Sequence, residues 1–165
     1  GGAVLVRTDF SNSIFRGRLW SEPNFREADA RDSRFRNCDI QGASMMHTNF
    51  ENADFTDTYL ELVEISTGNL KNTNFSRCTF KDFNICDATL ENTNFTDTIF
   101  LGFIQASEAK FKNVNFTGSR GKLEKFDLEK TIYEKTGLPI GIYRIATEED
   151  IRNIPKPGMI QDRQR

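Results

Sequence analysis

At 165 residues, with 22 basic and 24 acidic side chains, the chain carries a net charge of -2 and 37% hydrophobic residues, enough for one domain with a core of its own. That balance directs the chain toward neither nucleic acid nor an anionic membrane. No apolar run approaches the roughly 18 residues of a membrane span, which predicts a soluble chain without membrane insertion and leaves its compartment unknown.

Fifteen phenylalanines against one Trp and three Tyr imply a core filled repeatedly with one side chain. From Leu5 every fifth residue is apolar: Phe10, Phe15, Trp20, Phe25, Ala30, Phe35, Ile40, Met45, Phe50, Phe55, Leu60, Ile65, Leu70, Phe75, Phe80, Ile85, Leu90, Phe95 and Phe100. An α-helix repeats its buried face every 3.6 residues and a half-buried strand every 2, so this backbone turns a corner every five. Ala3 to Arg7 already fits, so the chain opens in mid-pattern, which implies a longer array or a partner upstream. Two residues before each large side chain stands a mostly small one, such as Ala28, Cys38, Ala53, Thr73 or Thr93, and both positions point inward.

The units AlaAspPhe at 53–55, AlaThrLeu at 88–90, and ThrAsnPhe at 48–50, 73–75 and 93–95 carry a likeness to a known family. Over residues 3–118 the chain resembles the pentapeptide-repeat proteins, whose unit is a small residue, Asp or Asn, a central Leu or Phe, and two polar positions. The resemblance implies a right-handed quadrilateral parallel β-helix, four pentapeptides to a coil of roughly 20 residues. Coils would lie about 4.8 Å apart, and 5–6 of them would stack.

A period of twenty is visible inside the period of five. Stacking every fourth unit makes Phe15, Phe35, Phe55, Phe75 and Phe95 one core column, beside a second of Trp20, Ile40, Leu60, Phe80 and Phe100. Outward positions read Arg31, Glu51, Lys71, Glu91 and Lys112, with Asp57 under Arg77 and Glu61 beside Lys81, so opposite charges face each other across strands. Asn12, Asp32, Asn52, Asn72, Asn92 and Asn113 form an amide ladder at a turn. The register slips by one residue near Gln105 to Glu108, where a bulge is expected, and the array ends about Gly118.

Residues 119–154 read as a capping segment: one or two short helices over 122–135, an alternating stretch from Ile140 to Ile145, and a helix start at Thr147. Residues 155–165 read as a flexible tail. The expected fold class is therefore mainly β, a solenoid with a short α-helical C-terminal cap.

A search for chemistry returns little. Cys38, Cys78 and Cys86 are an odd number without CxxC spacing, which argues against a disulfide framework and a zinc knuckle. Cys38 and Cys78 fall at the small inward position, Cys86 and the lone His47 outward. The carboxylates belong to ladders, and a filled β-helix offers no pocket in which one would be raised in pKa, so no enzyme activity, cofactor or metal is expected.

Two surface features suggest binding. Leu19, Tyr59, Leu62, Ile99 and Leu101 project from one side, with Ile104 just round the corner, where the repeat usually places polar residues; either the C-terminal segment or a partner covers them. Arg16, Arg26, Arg31, Arg34 and Arg36 crowd the first coils, and Glu51, Asp54, Asp57, Glu61 and Glu64 the middle. The reading that follows is a non-catalytic scaffold binding a protein of unknown identity, with coil ends open to oligomerisation. A Phe-rich version of the repeat is similar in pattern to the protein-binding luminal domain of a synaptic-vesicle glycoprotein. The alternatives are a DNA mimic that binds type II topoisomerases, as the resemblance to the fluoroquinolone-resistance members implies, and a secreted effector presenting the array to a host target. Residues 3–118 hold 12 basic and 16 acidic side chains, a weak acidity for DNA mimicry.

Overall fold

The computed structural model of the protein describes residues 4, 5, 7–11, 13–16, 23–127 and 132–134. Its strands are β1 (Ile14–Arg16), β2 (Asp39–Gln41), β3 (Tyr59–Glu64), β4 (Thr79–Asn84), β5 (Thr89–Glu91), β6 (Ile99–Gln105), β7 (Lys110–Lys112), β8 (Arg120–Asp127) and β9 (Ile132–Glu134). One parallel sheet runs β1-β2-β3-β4-β6-β8 and a second runs β5-β7-β9. Single parallel bridges such as Asp54 with Asn74 and Asn49 with Asn69 make the rungs of the remaining sides. The result is a four-sided parallel β-helix.

The corners outside the long strands share one local chemistry. The carbonyl of a central residue accepts the N–H three residues on, as from Thr58 to Phe55 and from Cys78 to Phe75. The third residue of each such turn has positive φ, from Asp32 at 59° through Asp57 at 62° to Asn92 at 54°. Type II turns require that sign, and Asn, Asp and Gly tolerate it best. Where Asp or Asn precedes the central residue it fixes the corner from outside: Asp54, Asn74 and Asn94 accept the N–H of Thr56, Ser76 and Thr96 at 3.0–3.1 Å. The small inward residue fixes it from inside, because its hydroxyl donates to a carbonyl of the rung below, Thr73 to Phe50 at 2.9 Å and Thr98 to Phe75 at 2.8 Å. Alanine fits there sterically, but Thr satisfies a buried carbonyl lone pair as well.

Inside, the rings of Phe10, Phe35, Phe55, Phe75, Phe95 and Phe116 stack in one column with centroids 4.6–5.2 Å apart. That corrects the lowest member of the expected column. Phe15 pairs with Ile40 rather than lying under Phe35, because β1 pairs with β2 at a separation of 25 residues and not 20. One extra pentapeptide lies between Arg16 and Asn24, since Arg16 pairs with Gln41 while Asn24 pairs with Ser44. Trp20, placed beneath Ile40 by the sequence reading, lies outside the described residues.

The register slip is also real but lies earlier than expected. Lys81 pairs with Leu101 and Phe83 with Ile104, so the additional residue enters between Leu101 and Ile104. Gly102 takes the left-handed conformation (φ 69°), and the N–H of Phe103 donates to Asp82 Oδ1 at 2.9 Å. Opposite β6 the next strand gains a further residue, Gly102 pairing with Leu123 and Phe103 with Lys125, so this corner widens from rung to rung.

The helix expected over residues 122–135 is not formed where the chain is described. Arg120–Asp127 and Ile132–Glu134 are strands pairing in parallel with β6 and β7, because the sheet edges supply backbone partners that an isolated amphipathic helix would lack. The ladder thus passes the boundary set at Gly118, while the rest of the cap and the tail from Pro155 lie outside the described residues.

Candidate functional site

The outside of the column is mostly cross-linked to itself. On the corner following Ala30, Phe50, Leu70, Leu90 and Phe111, amide groups climb in a ladder: Asn52 donates to Asp32, Asn72 to Asn52, Asn92 to Asn72 and Asn113 to Asn92, at 2.8–3.1 Å. Ion pairs join rungs in the same way. Arg77 reaches Asp57 through two hydrogen bonds of 2.7 and 2.8 Å, Lys81 lies on Glu61, and Glu91 stands between Lys71 and Lys112 at 3.7 and 3.3 Å. Such exposed pairs contribute about a few tenths of a kcal/mol each; they set register more than stability.

The uneven charge of the sequence is cancelled in part by ion pairs. Arg36 pairs with Asp54 on the next rung, joining the basic and acidic clusters, and Arg31 clamps Asp29 rather than Glu51. The side chain of Arg16 lies outside those described.

The hydrogen bond from Arg31 holds the Asp29 carboxyl below its ordinary 3.8. Lys112 lowers Glu91 below 4.5. At Asp54 burial pushes upward, but hydrogen bonds from Thr56 and Arg36 outweigh it and the net direction is down. Depressed folded-state values mean that the unfolded chain binds more protons once pH falls below these ordinary values. Stability is expected to be level from about pH 7 to 5 and to fall below about pH 4 as these carboxylates protonate; thermal melts across that range check it, and a melting point that rises on acidification would contradict it.

The cysteines and His47 take structural places. Cys38 and Cys78 are buried thiols in no disulfide, Cys78 donating to the Phe55 carbonyl, and burial pushes its thiol pKa up, away from reactivity. Cys86 is a half-buried thiol in no disulfide, its N–H held by Asn84. His47 is exposed at a left-handed corner, with Nδ1 2.7 Å from the Thr67 hydroxyl. Among the described residues no group of three His, Cys, Asp or Glu side chains is placed to hold a metal ion.

What stands apart is the side built on β2, β3, β4, β6 and β8, here called the strand side. Tyr59 and Leu62 on β3 and Leu101 on β6 lie half-buried on it. Ile99 points outward there yet is 8% exposed. Tyr59 donates to Glu61 at 3.0 Å, and burial followed by that bond raises its phenol pKa. Leu19 lies outside the described residues. Ile104 does not belong to the surface: the bulge at Gly102–Phe103 turns it inward, where it packs in the core at 2% exposure. Its neighbour Phe103 takes the outward place, 46% exposed, and sequence reasoning missed it. Gly102, falling where Asn, Asp or Gly marks a left-handed corner, was the available signal.

Against known proteins, the family description "Pentapeptide repeat region" matches residues 8–85 and "Pentapeptide repeats (8 copies)" matches residues 69–102. The chain belongs to the pentapeptide-repeat family. No curated protein matches it. Among solved structures it is similar to HetL, a pentapeptide repeat protein involved in heterocyst differentiation regulation in the cyanobacterium Nostoc. Identity is 14% and the TM-score 0.35, over 80% of this chain and 58% of that one, so this chain spans less than two thirds of HetL. A pentapeptide repeat protein of the Arabidopsis thaliana thylakoid lumen is 22% identical with a TM-score of 0.31, over 69% of this chain and 68% of that one. Rfr23 of the cyanobacterium Cyanothece is 16% identical with a TM-score of 0.33, over 81% and 89%.

Proposed function

We propose that the protein is a non-catalytic interaction module whose strand side binds a protein partner. The observation that carries this reading is the bulge at Gly102. It places Phe103 outside on the same strand as Leu101 and two rungs from Leu62, on a backbone held by Asp82 and by parallel strands on both flanks. An apolar group fixed on a rigid support loses little entropy on binding, which is the property of an interface anchor. Lys81, the cation opposite Leu101 on this side, is paired with Glu61, so recognition here relies on shape and apolar contact rather than on a strong field.

Affinity capture with matched variants tests it. The unaltered protein, and a control changed on another side (Glu51→Ala with Lys71→Ala), are expected to retain the same partner. A Leu62→Glu, Leu101→Glu double variant is expected to lose it. Equal capture by all three would remove the strand side from the function.

The DNA-mimic alternative has less in its support, because Asp54, Asp57, Glu61 and Glu91 each face a cation within 4 Å, instead of presenting bare charge as phosphates do. A gyrase supercoiling assay separates the readings: the interaction reading expects no change on adding the protein. The effector alternative differs only in where the same surface would act.

A further inference from the structure

Arg31, Arg36 and Arg77 each find a carboxylate, in Asp29, Asp54 and Asp57. Arg26 does not: among the described residues it makes no ion pair, and its Nη1 donates instead to the thioether sulfur of Met46 at 2.9 Å. The repeat brings these two side chains together. Each stands one residue after a buried central side chain, Phe25 or Met45, so both face outward in one column, a single rung or about 4.8 Å apart. Backbone bonds fix that register, Phe25 N–H to the Ser44 carbonyl at 2.8 Å and Glu27 N–H to the Met46 carbonyl at 2.9 Å. Met45 is fully buried, whereas Met46 is half-buried, so two adjacent methionines differ in their access to water. A thioether is a weak acceptor, and the guanidinium gains little from it. A sulfoxide oxygen in the same place is a polar acceptor suited to a charged donor.

We propose that Met46 is an oxidative modification site, at which a peroxide-class oxidant forms a sulfoxide that Arg26 then holds. The sulfur donates a lone pair to the nearer peroxide oxygen; an S–O bond forms and the O–O bond breaks. The proton of the transferred oxygen passes to the departing hydroxide, which leaves as water, so sulfur is oxidised and the peroxide reduced by the same electron pair. A methionine sulfoxide ordinarily disrupts the packing around it, because an apolar side chain has become polar. Here the sulfur lies outside the core, and Arg26, being exposed, is free to turn toward the new oxygen and make a charge-assisted bond across the rungs. Oxidation at Met46 therefore tightens the first coils instead of loosening them, and enzymatic reduction of the sulfoxide reverses it.

Hydrogen peroxide treatment of the full-length chain, followed by tandem mass spectrometry and thermal melts, provides the test. Met46 is expected to gain oxygen about ten-fold faster than its neighbour Met45, or more. The melting point is expected to rise by about 2 °C as it does so. Arg26→Gln is expected to leave oxidation at Met46 in place and to abolish the rise. Met46→Leu is expected to show no rise either, which separates the effect from oxidation of the cysteines. Sulfoxide reductase with a dithiol is expected to return the unaltered protein to its starting melting point. Oxidation of Met46 no faster than of Met45, a melting point that stays level or falls in the unaltered protein, or an equal rise in Arg26→Gln or Met46→Leu would overturn the proposal.

Discussion

Truncating Phe55 to alanine is expected to destabilise the protein by about 3 to 5 kcal/mol, the largest effect of any single change considered for the column. The ring is fully buried, stacks between Phe35 and Phe75 at 4.6 and 4.9 Å, and meets Phe50 edge-on at 5.2 Å. Neighbouring rungs are tied to one another by backbone hydrogen bonds, Phe55 N–H to the Asn74 carbonyl and Asp54 N–H to the Ser33 carbonyl, so the walls cannot collapse into the void. Thr56, the next residue, faces outward, donates to Asp54 at 2.5 Å and accepts from Asn74 at 2.9 Å. Losing those partly exposed bonds costs about 1 kcal/mol or less. Urea unfolding of both variants checks the contrast, and equal losses would contradict the inward and outward assignments.

Gly102→Ala is expected to cost about 2 to 3 kcal/mol, from two separable sources. A side chain at φ 69° is strained by about 1 kcal/mol, a cost the same corner already bears at Leu62 and Asp82. The new Cβ would also stand 2.2 Å from Asp82 Oδ1, so that carboxylate must swing away and release the Phe103 N–H. Amide exchange at Phe103 is therefore expected to accelerate in Gly102→Ala and to stay slow in Asp82→Asn, which keeps an acceptor oxygen. Unchanged exchange in the glycine variant would show that Asp82 does not hold the bulge. The same pair of variants bears on function, since the bulge is what sends Phe103 out and Ile104 in.

The four-sided column was legible because its signal is carried by side chains that recur at fixed spacing. Phe35, Phe55, Phe75 and Phe95 stack as their spacing of twenty implies, and the amide ladder from Asp32 to Asn113 forms bond by bond. The first coil misled for a definite reason. An inserted pentapeptide preserves the period of five and disturbs only the period of twenty, so Phe10 and Phe15 look equally suited to lie beneath Phe35 until strand pairing chooses Phe10. At the bulge, Phe103 and Ile104 are both apolar and adjacent, and hydrophobicity cannot say which one turns inward; the left-handed glycine before them can. Over residues 122–135 the spacing of Leu123, Phe126, Ile132 and Tyr133 suits a short helix, yet Arg120–Asp127 and Ile132–Glu134 meet sheet edges that convert the same residues into rungs. Of the candidate surface, Tyr59, Leu62 and Leu101 lie half-buried on the strand side, Ile99 is nearly buried there and Ile104 packs in the core, while Phe103 was overlooked because its outward place exists only after the slip.

Scalar couplings across backbone hydrogen bonds, measured by NMR on the isotope-labelled protein, test the stacked, four-cornered path most directly. The fold requires coupling from the Phe35 amide nitrogen to the Asp54 carbonyl carbon and from Phe55 to Asn74, each 19 residues along, and a longer step of 24 from Phe10 to Arg34, as from Leu5 to Asp29. Couplings between residues four apart, or a Phe10 step equal to the other two, would contradict the path on which the core, the bulge and the strand side all depend.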